Sequence, residues 1–414
     1  MASTAVARDN WDVASDVLLR NGFAWNAASR SFEARTDVLC IDGRIAALGR
    51  ELEVPASTTV VDCAGRYILP GLIDCHVHLT SGGDPAELTN RDATAARAWR
   101  AASNARKTLL AGFTTVRDLG APEQLNIHLA KAVEAGLVEG PWILAAGLGV
   151  TMTGGHGHGF LAREADGPDE VRKAVREQLR AGASTIKLFA SGGVMTPGVN
   201  PRSPSFTEDE LAAGVEEAHK AFRIVAAHAQ ATEAIKNAVR AGVDSIEHGV
   251  WLDEEAIELM IENETTLVAT LTAPAVMAER GQAEGVAAYA IEKSNLVLAD
   301  HIASFTAAVR AGVRIAMGTD QGTPLNRPGE NAQEIVRMAR HGLSPAAAIL
   351  AATAWAADLL GIEAGRLGAG LRADVVVFDG DPLIDLSVLT RTDAIRAIVQ
   401  GGRIVHRPGE GAAR

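Results

Sequence analysis

The sequence predicts an α/β fold, a (β/α)8 TIM-type barrel with a small β-sandwich formed by both termini. Three observations lead there. A helix-like stretch ends in Ala-Gly and is followed by a β-rich run at Ala111, Ala181, Ala241 and Ala311. Residues able to bind ions or move protons recur where such runs give way to glycine or small polar residues. Both ends of the chain carry short β-rich pieces and turn glycines without helical periodicity.

Each recurring unit reads helix, stop, strand, loop, because glycine just past a helix end adopts the left-handed conformation cheaply. DEVRKAVREQLR before Ala181, ATEAIKNAVR before Ala241 and DEEAIELMIEN from Asp253 are amphipathic helices. In TEDELAAGVEEAHKAF, Thr207 and Glu210 form a capping box. Strands alternating with helices at this spacing imply parallel pairing. Repetition over roughly 290 residues fits a closed barrel better than the competing doubly wound sheet. Residues 12–70 form the N-terminal part of the sandwich, 71–365 the barrel, and 366–410 the C-terminal part.

Composition agrees. The chain has 414 residues, and single cores rarely grow past roughly 250–300, so a large domain with a smaller companion is expected. With 47% hydrophobic and 22% charged residues, wholesale disorder is excluded. A net charge of −12 argues against nucleic acid and anionic membranes, which are held by clustered Lys and Arg. Cys40, Cys63 and Cys75 are too few and scattered for a disulfide framework or a CxxC zinc site, and read as reduced, packed thiols. The charged amino-terminal stretch does not resemble a secretory leader, and no apolar run reaches about 18 residues, so a cytoplasmic protein without membrane contact is expected.

His76 and His78 in LPGLIDCHVHLTSGG project to one face of a strand and can bind one ion. Cys75 points to the other face. Lys187 closes STIKLFASGG, His228 closes FRIVAAHAQ, His248 closes DSIEHG and Asp320 closes RIAMGTDQG. A lone strand-end histidine is more often a hydrogen-bonded core residue. In a barrel, however, carboxyl ends of strands converge on one pocket, so six such residues point to a metal centre. The lysine is unusual there, since an ammonium has no lone pair to donate.

The loop TMTGGHGHGF adds His156 and His158. Its glycines let backbone lie close to a ligand, and an imidazole N–H can stabilise a developing oxyanion. His156 is the catalytic candidate and His158 a substrate contact; a rigid turn or a third metal site are the alternatives. Ser81 is placed to touch a ligand. VMTPGVNPRSPSF, residues 194–206, reads as a lid or pocket wall. Its Arg202 could take a substrate carboxylate bidentately, or be a solvated loop arginine. Arg117 and Asp118 read as a buried salt bridge bracing strand two, and His219 and His301 as helix-surface or helix-packing residues.

On these residues the chain resembles the amidohydrolase superfamily of binuclear metal-dependent hydrolases, over nearly its full length. HVH is similar to the family's HxH on strand one, Lys187 to its strand-four lysine, His228 and His248 to the histidines of strands five and six, and Asp320 to its strand-eight aspartate. TGGHGHG, KLFASGGV and EHG resemble the branch of Xaa-Pro dipeptidase-like and ochratoxin-degrading amidohydrolases. The resemblance implies that Lys187 is carboxylated. A free lysine titrates near 10.4, whereas its carbamate is an anion able to bridge ions roughly 3.5–4 Å apart.

It further implies two divalent ions, zinc expected, one held by His76, His78 and Asp320 and the other by His228 and His248. Lys187 and a hydroxide would lie between them. Asp320 would orient the water, take its proton and pass it to the leaving nitrogen. The implied substrate is a small-molecule amide or dipeptide, cleaved at the C–N bond of a dipeptide, an N-acyl amino acid or a related amide. An imidazolonepropionase-like cyclic amide hydrolase or deaminase is the rival, and such relatives commonly lack the strand-four lysine. A non-catalytic amidohydrolase-like scaffold is the third possibility, and a homo-oligomer is expected.

Overall fold

The computed structural model describes residues 16–88 and 92–408. Residues 12–15 and 409–410 of the expected terminal domain, and almost all of the stretch read for a leader, lie outside the described residues. The chain begins with β1 (Val17–Asn26), β2 (Ser31–Ile41), β3 (Arg44–Gly49), β4 (Thr59–Asp62) and β5 (Tyr67–Pro70). Alternation follows: β6 (Leu72–Val77), α1 (Thr94–Leu110), β7 (Phe113–Asp118), α2 (Leu125–Glu134), β8 (Trp142–Ala145), β9 (Gly149–Thr151), β10 (Ala162–Glu164), α3 (Gly167–Ala181) and β11 (Ile186–Phe189). It continues through α4 (Glu208–Lys220), β12 (Val225–Ala229), α5 (Thr232–Arg240), β13 (Ser245–His248), α6 (Glu254–Glu262), β14 (Thr266–Val268), α7 (Thr272–Arg280) and α8 (Ala288–Ala311). Helices α9 (Gln333–Arg340), α10 (Pro345–Ala351) and α11 (Ala354–Leu360) precede β15 (Val375–Phe378), β16 (Ile395–Gln400) and β17 (Arg403–His406).

The middle of the chain is TIM-barrel-like. Its parallel strands run in the orders β6-β7-β8 and β10-β9-β11-β12-β13-β14. Residues 314–321 lie between β14 and β6 without forming a regular strand. Leu267 N donates to Arg314 O (2.8 Å), Cys75 N to Met317 O (2.9 Å) and Asp320 N to His76 O (2.8 Å). Asp320 is itself left-handed (φ 59°), which interrupts the ladder there. Ser184 N bonds Ala145 O (2.9 Å), tying the approach to β11 to β8. The regular pairing is thus two sheets of six and three strands, not one closed ring.

The punctuation follows the sequence. Gly112, Gly182, Gly242 and Gly312 all take positive φ, between 86° and 107°. Thr207 and Glu210 make both arms of the capping box on α4, and Asp253 caps α6 through Ala256 N (2.9 Å). Cys40, Cys63 and Cys75 are free and buried, with burial pushing Cys40 and Cys63 up to about 12. Among the described residues no helix is long and apolar enough to cross a membrane.

The terminal strands meet in one eight-stranded sheet, ordered β17-β16-β15-β5-β1-β2-β3 with β4 added to β1. The β-rich pieces of both termini are thus joined in one terminal domain, as the sequence leads one to expect, with side chains from both halves of the path sharing one buried cluster. Strand β1 carries bulges around Gly22 and pairs in parallel with β4 before them and with β5 after them, so one strand serves both halves. Val375 and Val377 of β15 join the cluster of Val17, Cys40, Ile45 and Ile68, while Val376 and Phe378 join the main core with Leu109 and Phe113. Burial on both faces explains the unbroken VVVF run. Only Gly71 separates β5 from β6, and a Cβ there would lie 2.0 Å from Thr114 Oγ1.

Candidate metal centre

Six residues converge at the floor of a cavity of about 800 Å³: His76, His78, Lys187, His228, His248 and Asp320. His76 is on β6 and His78 just past it, with ring centroids 5.5 Å apart. His76 Nε2 and His78 Nε2 lie 3.4 and 3.2 Å from Asp320 Oδ1, and the three residues together can hold one ion. His248 stands 4.4 Å from His228 and 5.3 Å from His76, ring to ring. Like Asp320, His248 is left-handed (φ 74°), a conformation that costs a non-glycine residue about 1–3 kcal/mol and collects at functional sites.

Each histidine has one nitrogen tied outward. His76 Nδ1 lies 2.7 Å from Glu247 Oε2, and His78 Nδ1 donates to Gly120 O (2.9 Å). His248 Nδ1 lies 2.7 Å from Thr270 Oγ1, and His228 Nε2 donates to Gly192 O (3.0 Å). The inward donors are then Nε2 of His76, His78 and His248 and Nδ1 of His228. Burial drives His76, His228 and His248 well below the usual imidazole range, so their lone pairs are available. Burial opposes protonation of His78 as well, but the Asp320 carboxylate raises it overall.

Lys187 Nζ is buried without a hydrogen-bond partner among the described residues, and burial pushes the ammonium down to about 8. An isolated buried ammonium is costly. A carbamate at the same atom would put an anion among neutral imidazoles. The donor set and this orphaned nitrogen fit a pair of divalent cations.

Asp74 locks β6 to the irregular stretch 314–321. It accepts from His76 N (3.0 Å), Thr319 N (3.1 Å), Thr319 Oγ1 (2.7 Å) and Asn331 Nδ2 (2.8 Å), while burial raises its carboxyl to about 6. Arg117 does make a buried ion pair, but its partner is Glu247 on β13 (2.8 Å); Asp118 instead accepts from Leu79 N (2.9 Å) and Asn126 Nδ2 (2.8 Å).

His156, His158 and Ser81 line the cavity. His156 is pushed down to about 3 by burial and nearby cations, so it is a neutral imidazole. His158 Nδ1 donates to Gly155 O (2.7 Å). Ser81 Oγ is within reach of both Gly322 O (2.6 Å) and Glu87 Oε2 (2.9 Å), which engages its one proton in loop structure. Arg202 is corrected: it does not line the cavity. Its guanidinium stacks 3.9 Å over Trp251 and pairs with Asp300 (3.3 Å), because the 194–206 loop turns it outward.

Sequence reading passed over Glu247, Thr196 and Gln230, and read His301 only as a helix-surface or helix-packing residue. Glu247 neighbours His248 and by strand alternation belongs to the opposite face, but the left-handed turn at His248 lets both side chains reach His76. His301 sits inside α8, yet it lines the cavity and its Nε2 donates to His248 O (2.9 Å). Outward from the metal-capable floor the wall is apolar, with Val194, Met195, Val250, Met277 and Val297.

A model of the amidohydrolase family matches residues 67–405. Ochratoxinase from Aspergillus niger is 35% identical over 407 residues, covering 89% of this chain and 82% of that protein. A crystal structure of a Xaa-Pro dipeptidase with methionine in its active site superposes with a TM-score of 0.88 at 32% identity, covering 94% of this chain and 99% of that one. The crystal structure of A. niger ochratoxinase gives 0.87 at 31% identity, covering 97% and 99%.

Proposed function

The chain belongs to the amidohydrolase family and is a hydrolytic enzyme acting on amide bonds; from that premise we propose that it cleaves the C–N bond of a dipeptide, an N-acyl amino acid or a related amide. The observation carrying this reading is the convergence of His76, His78, Lys187, His228, His248 and Asp320 in one cavity with an apolar wall. The family generally uses a divalent metal. His76, His78 and Asp320 would hold one ion, His228 and His248 a second, and Lys187, as its carbamate, both. When bound, such ions acidify water and polarise a carbonyl. Zinc suits the imidazole-rich set.

This chain's residues do the rest. Asp320 takes the proton of the attacking water on a carboxylate oxygen and returns it to the leaving nitrogen, which would otherwise depart as an unstable amide anion. His156 faces the scissile carbonyl and donates to the oxygen as negative charge grows there. His158 contacts the amine side of the substrate, and the apolar wall takes the acyl side chain.

The test is a metal assay combined with a substrate panel. Protein purified from zinc-supplemented medium should carry about two ions per chain and hydrolyse members of a set of N-acyl amino acids, dipeptides and ochratoxin A. Turnover of cyclic amides alone, with one ion per chain, would overturn the reading.

A further inference from the structure

We propose that Thr196 is a positioning residue that fixes which nitrogen of His156 carries the proton. The inference rests on the reading of His156 as the group that faces the substrate carbonyl. The segment 193–199 contributes Val194, Met195, Thr196 and Pro197 to the cavity wall and is held there by α8. Lys293 Nζ donates to the carbonyls of Gly193 (3.2 Å), Thr196 (2.8 Å) and Val199 (2.6 Å), and Tyr289 Oη donates to Met195 O (3.1 Å). All three ammonium protons are thus used on one short stretch of backbone. The segment is a fixed brace.

Within the brace, Thr196 Oγ1 accepts from Gly157 N (3.0 Å) and lies 2.8 Å from His156 Nδ1. Among the described residues this hydroxyl makes no other hydrogen bond, so its single proton is directed to Nδ1. A neutral imidazole accepting at Nδ1 carries its own proton at Nε2. That nitrogen has no protein partner among the described residues and sits over Gly193, where a Cβ would stand 2.5 Å from it. Gly193 and Thr196 therefore hold the ring from two sides. His156 is left as a hydrogen-bond donor to the cavity and not as a base or a further ligand.

Valine at position 196 keeps the shape of threonine without the hydroxyl. It leaves Nδ1 free to take the proton and Gly157 N unpaired. Zinc-loaded protein carrying 15N-labelled histidine should show His156, assigned by its loss in His156→Asn, protonated at Nε2 and accepting at Nδ1. Thr196→Val should mix the two tautomers and lower kcat about tenfold with KM within about twofold, and Thr196→Ser should restore both. Wild-type His156 protonated at Nδ1, or an unchanged tautomer in Thr196→Val, overturns the proposal. The wild-type measurement decides even if the valine variant does not fold. It also decides if no amide is hydrolysed, in which case the functional reading fails and this one is judged separately.

Discussion

Glu247→Gln separates metal positioning from mere packing. Glu247 is fully buried, accepts from Arg117 (2.8 Å) and Ser245 Oγ (2.6 Å), and lies 2.7 Å from His76 Nδ1. The carboxylate keeps the Nδ1 proton facing away from the cavity and makes Nε2 a better donor. An amide of the same shape can still accept, but without the charge. Loss of such an outer partner weakens metal binding about 10–100-fold, or roughly 1.4–2.7 kcal/mol. Removing one member of a buried ion pair costs about 3–5 kcal/mol of stability. Arg117 retains Cys75 O (2.7 Å) and Ser245 Oγ (3.0 Å), so the lower end of that range applies. Competition with a chromophoric chelator reads the affinity, and denaturant unfolding of metal-free protein reads the stability. Ser245→Ala, which keeps the charge pair, serves as the control. A folded glutamine variant that binds metal within twofold of wild type would refute the reasoning.

Other outcomes are equally specific. Lys187→Ala should lower the metal content and reduce kcat/KM about a thousandfold, the equivalent of several kcal/mol of charge stabilisation, measured by metal analysis and kinetics on the best substrate. Arg202→Ala should leave kcat/KM within about twofold and cost about 0.5–1 kcal/mol of stability through the lost stacking on Trp251; a large rise in KM would restore it to the substrate site. Glu334, buried and accepting from Leu271 N (2.8 Å) and Thr272 N (2.7 Å), has its carboxyl raised from 4.5 to about 7 by burial. Its folded pKa lies above the unfolded one, so its contribution is complete below about 4.5 and is lost as pH rises to about 7, by about 3 kcal/mol. The stability difference between wild type and Glu334→Gln should change by that amount across the window, and parallel curves would contradict it.

Much of the architecture was legible because it rests on local rules. Ala-Gly helix stops, the Thr207–Glu210 box and the alternation of HVH each depend on a few neighbouring residues, and each is where the pattern places it. What periodicity could not show is where alternation fails. Left-handed turns at His248 and Asp320 re-aim side chains that a regular strand would send elsewhere. Long-range partners were invisible for another reason: Glu247 meets His76 across 171 positions, and Lys293 reaches Val199 across 94. Arg202 misled because a loop guanidinium suits a carboxylate anywhere, and only the fold shows that it lies on Trp251.

The junction at Gly71 leaves no slack between the sheet shared by the two ends of the chain and the first barrel strand. Only Leu72, Ile73, Asp74 and Cys75 stand between that junction and His76. Trimming either terminus should therefore lower metal content at denaturant concentrations where the barrel is still folded, as expected if the outlying sheet is a mounting bracket for the site.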